Sequence, residues 1–534
     1  MTSQLPNLHY YRPVQESGSP ETITADVCVY GGTSAGIMAA ISSKRLGDSV
    51  ALAAFDTHLG GLSSGGLGAT DIGNKDAIGG ISREFYRRLG QHYGAENGES
   101  WTFEPHVARQ VFETMLAEAD LTPRLNQQLT RVHKNGQIIE AIEMSDGTVY
   151  RAKVFIDATY EGDLLAMAGV SYHVGRESNR AYRETLNGIH FGHPNHNFKA
   201  WVDPYQIEGD PDSGLIPLVQ DVEPGFPGQG DDCVQAYNFR MCLTDVPDNR
   251  LPFPKPDNYD ADRYELFRRY LKLGFWDAMW LTIRMPEGKT DTNNCGPIAT
   301  DHIGANFGWP DGSYEEREAI FQDHVSYTAG MFYFLQHDPG VPERVREQMQ
   351  RWGLCRDEFV ETGGFPPQLY IREARRMVSD YVMTEHDCRY LRTAERPVAL
   401  AAYAMDSHNC RRLVLDGRVT NEGNVETNPD KPFPIAFESI VPRHEECSNL
   451  VVPVCLSSSH IAFGSIRMEP VFMVLAQSAA CVAHLAVRGD GAVSKVPYAE
   501  LRELLLKSNQ VLSWPPPVQT ERNDAWDFEV VDVS

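Results

Sequence analysis

The chain has 534 residues and a formal net charge of −25. Its length exceeds what one small core needs and predicts two interleaved domains of ordinary size. The charge argues against nucleic-acid and anionic-membrane partners, which need clustered Lys and Arg. Ten cysteines with no CxxC pair and no metal-like Cys/His spacing support neither a disulfide framework nor an iron–sulfur or other metal site.

Residues 1–24 are polar and contain Pro13 and Pro20, which predicts an arm laid over the surface. They lack the apolar stretch of a targeting segment, and no unbroken run of about eighteen apolar residues follows. A cytoplasmic protein without a membrane span is expected. A strand at about 25–30, a helix at about 34–46 and a strand from Ser49 to Phe55 then form a βαβ unit. The next helix runs from about Pro105 to Ala119, with Val107, Val111, Met115 and Ala119 on one face. A short strand near Thr122 to Val132 precedes the hairpin QIIEAIEMSDGTVYRAKVFIDAT, turning at Asp146-Gly147.

From 171 to 434 the chain is rich in Pro, Asp, Asn and aromatic residues, with helices near 258–275, 314–336 and 341–352. This part reads as a separate, substrate-facing domain. Apolar strand residues Asn449 to Val454 and a small-residue helix from Glu469 to about Val487 return the chain to the first domain. The expected division is an arm (1–24), a nucleotide domain in two parts (25–170 and 435–490), the substrate domain (171–434), and a C-terminal helix and tail (491–534).

The turn GGTSAG, Gly31-Gly32-Thr33-Ser34-Ala35-Gly36, joins the first strand to a helix of small residues. Free N–H groups and the positive dipole end of that helix suit a diphosphate. A plain glycine corner explains the same residues, and Thr33 stands where such a turn usually has its middle glycine. The acid that should close the second strand to hold a ribose is displaced: Ala54 and Phe55 occupy its place and Asp56 comes late, so either Asp56 reaches back or backbone and water hold the ribose. The stretch HLGGLSSGGLGATDIGN then sets Gly60, Gly61, Ser63, Ser64 and Gly65 close together. Such density fits a chain passing beside a flat ligand, with the serines donating to phosphate or ribityl oxygens, or else a mobile loop. The strand ending Asp157-Ala158-Thr159 suits a return beside the turn, or simply a core strand.

Together VYGGTSAGIMAA, HLGGLSSGGLGATDIGNKDAIGG, IDATYEGDLLAMAG, QLYIREARRMVSDYVMTEHD, MDSHN and SSSHIAFGSIRMEPVFMVLAQSA resemble the FAD-dependent oxidoreductase family. The nucleotide domain of that family is similar to those of glutathione reductase and succinate dehydrogenase flavoproteins. The resemblance covers about 25–488. It implies an α/β fold: a doubly wound, Rossmann-like FAD-binding domain, discontinuous in sequence, with an inserted α+β substrate domain. It places the diphosphate at Gly31, Gly32, Ser34, Ala35 and Gly36, and the adenine side near Leu129 and Ala158-Thr159. The related succinate dehydrogenase flavoproteins attach FAD through a histidine near such a glycine pair, but the spacing from His58 to Gly65 differs by one residue, which argues against covalent attachment here.

At the flavin end, the helix entered through Arg467-Met468-Glu469-Pro470 offers its N–H groups and dipole to an anionic flavin, with Arg467 adding charge. Oxidising a C–H bond that bears OH or NH needs a proton acceptor, and neutral histidine suits this near pH 7. His460 in SSSHIAFGS is the first candidate and His408 in AMDSHN the second. Arg372 suits a substrate carboxylate or oxygen, or an ion pair with a neighbouring Glu. The loop KTDTNNCGPIATDHIGANFGWP sets Asp291, Asn293, Asn294, Asp301, His302 and Asn306 near Trp309, as a polyhydroxylated ligand or a self-bonded polar loop requires. The expected activity is hydride removal from a sugar, polyol or related hydroxy compound. No second glycine turn for a nicotinamide nucleotide is present, so electrons are expected to leave to oxygen, a quinone or a carrier. A flavin-dependent isomerase, epimerase or lyase and a non-catalytic FAD-binding protein are the alternatives. The sequence sets neither the substrate nor the oligomeric state.

Overall fold

The computed structural model describes Leu5 and residues 7–14, 21–95, 98–276 and 281–516. In Thr22–Tyr30 (β1) the alternation of the first residues gives way to Val27, Cys28, Val29 and Tyr30, all buried, as the interior of a parallel sheet requires. Helix Ser34–Arg45 (α1) follows, then strand Val50–Ala53 (β2), which lies parallel to β1 with Val27 opposite Val50 and Tyr30 opposite Ala53. The expected βαβ unit is present, with its second strand ending before Ala54 and Phe55.

Short helix Leu62–Gly65 (α2), Gly80–Tyr93 (α3) and Pro105–Glu118 (α4) come next. Three strands then form a meander: Leu129–Asn135 (β3), Ile138–Met144 (β4) and Val149–Asp157 (β5). The strand expected near Thr122 to Val132 starts later, at Leu129. The hairpin between β4 and β5 closes as expected, with Gly147 N–H bonded to Met144 O at 3.0 Å.

A second, all-antiparallel sheet lies inside 241–355. It comprises Met241–Thr244 (β6), Arg250–Leu251 (β7), Leu281–Met285 (β8), Lys289–Asn293 (β9) and Gly353–Cys355 (β10), ordered β7-β10-β6-β9-β8. Beside it run Glu265–Lys272 (α5), Tyr314–His337 (α6) and Glu343–Met349 (α7), the three expected helices, with α5 and α7 shorter than the sequence pattern suggests. Helix α6 starts at a reciprocal cap: Ser313 Oγ accepts from Glu316 N–H at 3.2 Å, and Glu316 accepts from Ser313 N–H at 2.7 Å.

The chain returns through Leu450–Val451 (β11), parallel to Phe155 and Ile156 of β5. One long edge of β5 pairs with β1, while its other edge is shared, the first residues going to β4 and the last to β11. Helices His460–Ile466 (α8) and Glu469–Arg488 (α9) follow. Helix α9 is long and apolar enough to cross a membrane, but it is mostly buried in the protein's own core, packed along α1 and over β1 and β5. Residues 498–507 form a further helix; the tail from 517 onwards lies outside the described residues.

The described part of the arm is fastened down. The N–H groups of Tyr10 and Tyr11 both donate to Glu318, at 2.7 and 2.8 Å, and the Tyr10 ring lies 4.9 Å from Phe55 and 4.6 Å from Trp309. Buried ions join the two sheets' surroundings. Asp163 accepts from both Arg317 and Arg375 at 2.7 Å, and Lys289 Nζ lies 2.6 Å from Glu104 and 2.7 Å from Glu358. Glu104, His106 and Glu358 are close enough to suggest a cation site, but the Lys289 ammonium already stands among these carboxylates. Replacing Lys289 by Met would leave buried carboxylates without their cation, and a loss of about 3–5 kcal/mol is expected in urea unfolding, read from the midpoint at unchanged slope.

Candidate functional site

The glycine turn is shaped by its neighbours. Gly31 N–H bonds Ala53 O, Ala158 N–H bonds Tyr30 O, and Gly60 N–H bonds Gly32 O, each at 2.8 Å. Gly31 has φ +119°, and a Cβ there would come within 2.8 Å of the Ala158 backbone, so only glycine fits. Thr33, the apparent misfit, is the N-cap of α1: its hydroxyl accepts from Gly36 N–H at 3.1 Å and donates to Ala158 O at 2.7 Å. Ser34 and Ala35 N–H groups, at the positive end of α1, have no acceptor among the described residues. The structure thus brings Gly31–Gly36, Gly60 and Ala158 together.

Thr159 is held beside them by Asp157, which accepts its hydroxyl at 2.7 Å and its N–H at 3.1 Å; burial pushes the Asp157 carboxyl up to about 6. Ser63 donates to Glu469 at 2.9 Å, whereas Ser64 donates to Leu59 O at 2.5 Å and lies 3.0 Å from His58 Nε2. Gly65 sits against Gln368. Burial takes the His58 pKa down to about 4. Asp56 lines a cavity of about 50 Å³ with Phe55, Tyr10 and Gln128, and burial followed by Glu161 pushes its carboxyl up to about 8. Leu129 is buried with its N–H bonded to Tyr30 Oη and its carbonyl to Tyr314 Oη, so its backbone already has partners where an adenine contact was expected.

A cavity of about 640 Å³ is lined by Asp71, Asn293, Tyr370, Asp406, His408 and Arg467, with Met468 at the mouth of α9. His408 Nδ1 is 2.7 Å from Asp301 and its Nε2 is 3.5 Å from Asp406, too long for a good hydrogen bond and therefore available to a ligand. Arg467 donates to Asp406 at 2.9 Å and to Tyr370 Oη at 2.7 Å. Burial and the Arg372 guanidinium push the His408 pKa down, but Asp301 and Asp406 prevail and hold it above the ordinary value. Asp406 stays well below the usual carboxylate range, since His408 and Arg467 outweigh its burial.

Three expectations are corrected. His460, the first candidate, does not line the cavity: it is buried, its Nδ1 lies 2.8 Å from Glu373 and its Nε2 3.0 Å from Ser407. Both of its nitrogens have partners in the interior. Arg372 is fully buried and pairs with Asp301 at 2.9 Å while lying over the Tyr370 ring, so it braces His408 through Asp301 instead of anchoring a ligand. Trp309 is fully buried, edge-on to Tyr10 and Tyr237, and offers no face to a sugar. The polar loop divides: Asn293 and Asn294 line the cavity, Asp301 holds His408, Asp291 pairs with Arg240, His302 with Asp323, and Asn306 donates to Gln235 O. Cys242 and Cys355, far apart in sequence, face each other across β6 and β10 with sulfurs 3.7 Å apart; both are free, buried thiols away from the cavity, and burial keeps Cys242 protonated.

Residues that the sequence reading passed over are Asp406, Tyr403 and Asp71 on the cavity and Glu469 at the head of α9. The signal for Asp406 is its spacing of two from His408, which puts both on one side where the chain is extended.

A model of the FAD dependent oxidoreductase family matches residues 26–505. The chain belongs to this family. It is therefore an FAD-dependent oxidoreductase, and the residues present fit the cofactor: two N–H groups at the head of α1 without an acceptor among the described residues, Gly31, Gly32 and Gly36 with no room for a side chain, and Arg467-Met468 at the cavity. Among solved structures the chain is similar to an oxidized steroid monooxygenase bound to NADP (18% identity, 26% of each chain, TM-score 0.21). It is also similar to a 3-ketosteroid-delta4-(5alpha)-dehydrogenase from Rhodococcus jostii RHA1 (12% identity, 28% of this chain and 50% of that chain, TM-score 0.19). A flavocytochrome c3 fumarate reductase matches at 16% identity over 30% of this chain and 44% of that chain, with a TM-score of 0.21. The chain spans half or less of each, and at these scores the likenesses carry no argument about what it acts on.

Two outcomes check the site. Followed by NMR, the His408 ring is expected to titrate above 6.5, and Asp301→Asn should lower the midpoint by removing an anion and leaving Arg372 unopposed; an unmoved midpoint would contradict the pairing. His460→Ala is expected to cost about 1–3 kcal/mol of unfolding free energy while leaving the pH dependence of flavin reduction unchanged.

Proposed function

We propose that this flavoenzyme oxidises a small polyhydroxylated compound in the 640 Å³ cavity, with His408 as the proton acceptor. The observation that carries the reading is the Asp301–His408 pair at 2.7 Å on a cavity wall that also holds Arg467 and Met468. FAD, when bound, supplies the hydride acceptor. Its diphosphate is assigned to Gly31, Gly32, Thr33, Ser34, Ala35 and Gly36, with Ser63, Ala158 and Thr159 alongside and Arg467-Met468 at the flavin end.

Support for a hydroxylated substrate comes from Asn195, Asn197, Asn293, Asn294 and Asn428 on the wall. Amides both donate and accept without imposing charge, as a neutral sugar or polyol requires. His408 Nε2 takes the hydroxyl proton as the C–H bond breaks, and Asp301 fixes the ring through Nδ1 and stabilises the imidazolium that forms. Asp406 would oppose deprotonation of a nearby hydroxyl by its charge, but Arg467 neutralises it at 2.9 Å. Oxygen, a quinone or a separate carrier then removes the electrons.

Since His408 accepts a proton only when neutral, and its pKa is raised, flavin reduction should rise with pH through a midpoint above 6.5. His408→Asn is expected to slow anaerobic flavin reduction by about 10²–10⁴-fold with FAD still bound, and to abolish that rise. Bleaching of the flavin band by a panel of sugars and polyols identifies the substrate. Turnover in the absence of any acceptor would instead assign a redox-neutral reaction, and unchanged reduction in His408→Asn would remove this residue from the role.

A further inference from the structure

Glu469 opens α9 and is buried, yet no Lys, Arg or His pairs with it among the described residues. Instead it collects hydroxyl groups from three other places in the chain. Its Oε2 accepts from Ser34 at the head of α1 at 2.5 Å and from Ser63 of α2 at 2.9 Å, and its Oε1 accepts from Tyr160, just past β5, at 2.7 Å. The titratable groups that face it are phenols: Tyr160 itself and Tyr86 of α3, which the Glu469 charge helps to keep protonated. α1 and α2 bring only serines. Burial raises the Glu469 pKa, and the three hydroxyls moderate the rise without cancelling it.

Ser34 stands in the turn assigned to the diphosphate, so the inference rests on that assignment. We propose that Glu469 is the proton-linked partner of the FAD diphosphate: the side chain is a neutral carboxylic acid in the FAD-bound protein, and binding takes up one proton there. Two arguments meet. A carboxylate and a doubly charged diphosphate cannot share a water-poor notch without a cation between them, and among the described residues no Lys, Arg or His pairs with Glu469 to relieve the repulsion. An ionised Glu469 also holds the Ser34 and Ser63 hydroxyl protons for itself. Once protonated it needs fewer donors and has one of its own, so both serines can turn their protons to phosphate oxygens. The balance is one carboxylate, one FAD and one proton giving the neutral acid beside bound FAD.

The test is calorimetric titration of the FAD-free full chain with FAD, in buffers of different ionisation enthalpy, between about pH 6 and 9. Wild type is expected to take up about one proton more per FAD than Glu469→Gln at the alkaline end, and to lose affinity more steeply with pH, the extra slope approaching about tenfold per pH unit. Asp56 and Glu161, pushed up to about 8 and about 7, titrate in both proteins and drop out of the difference. Equal proton uptake in the two proteins overturns the proposal.

Should Glu469→Gln not fold, difference infrared spectra of wild type on adding FAD decide. A new carboxylic-acid carbonyl band that shifts in Ser63→Ala supports the proposal, and absence of such a band overturns it. Thr33→Asp separates the underlying assignment, since it keeps an acceptor for Gly36 N–H but puts a charge at the turn. If it leaves FAD affinity intact, the diphosphate lies elsewhere and the proposal falls with its premise. If FAD is lost there while wild type and Glu469→Gln take up equal protons, the proton linkage alone is wrong.

Discussion

A single buried carboxylate ties together the parts of this chain that meet at the nucleotide turn. Glu469 bonds a serine 435 residues away in the first βαβ unit, another in the short α2 and a phenol at the end of the β5 strand. In a water-poor interior such bonds are strong and each is expensive to leave unmade, so the four segments have one low-energy arrangement. Helix α9 can supply the carboxylate from its first position because Met468 enters extended and Pro470, inside the first turn, gives up no intrahelical bond. The glycine density from residue 60 onwards also follows in part. A side chain at Gly61 would collide with the Tyr160 hydroxyl, and one at Gly60 with Ser64 and Phe112. Those glycines make room for the network.

The cavity obeys a second constraint, that charges removed from water must alternate. Arg372, Asp301, His408, Asp406 and Arg467 form an unbroken run of opposite signs when His408 is protonated, and Tyr370 lies between the two guanidinium groups, bonded to one and stacked under the other. Burial alone would strip the proton from His408; two acids against one near cation restore it. The same run keeps Asp301 and Asp406 ionised, so the histidine is the member whose charge changes most readily near neutral pH.

Elements whose cause is local were legible in the sequence. The glycine turn opening α1, the hairpin at Asp146-Gly147, the α4 stripe and the proline-started α9 all carry their signals within a few residues. What stayed hidden depends on distant partners. The fork of β5 between β4 and β11 leaves no mark on VYRAKVFID, and the strands β6 to β10 are too short to show alternation. Thr33 stands where a middle glycine is usual, and its cap bonds to Gly36 and Ala158 cannot be seen in a string. The bonds of Leu129 to Tyr30 and Tyr314, and the packing of Tyr10 of the arm against Phe55, likewise join segments distant in the chain. Glu469 was passed over, since a lone acid in RMEP gives no hint of three hydroxyl donors elsewhere.

The two histidines show how a period of two decides which side chain reaches the cavity. Both follow serine and both pair with an acid, so composition cannot rank them. The strand Met405–Ser407 separates them. Asp406 of the strand and His408 just past its end face the cavity, while Ser407 between them is buried and meets His460 Nε2 from the other side. His460 thereby gains a second interior partner besides Glu373 and loses access, whereas His408 keeps one nitrogen toward the cavity. A shift of one residue there would turn Ser407 to the cavity and bury the pair that now lines it, so this short register fixes which imidazole reaches the cavity.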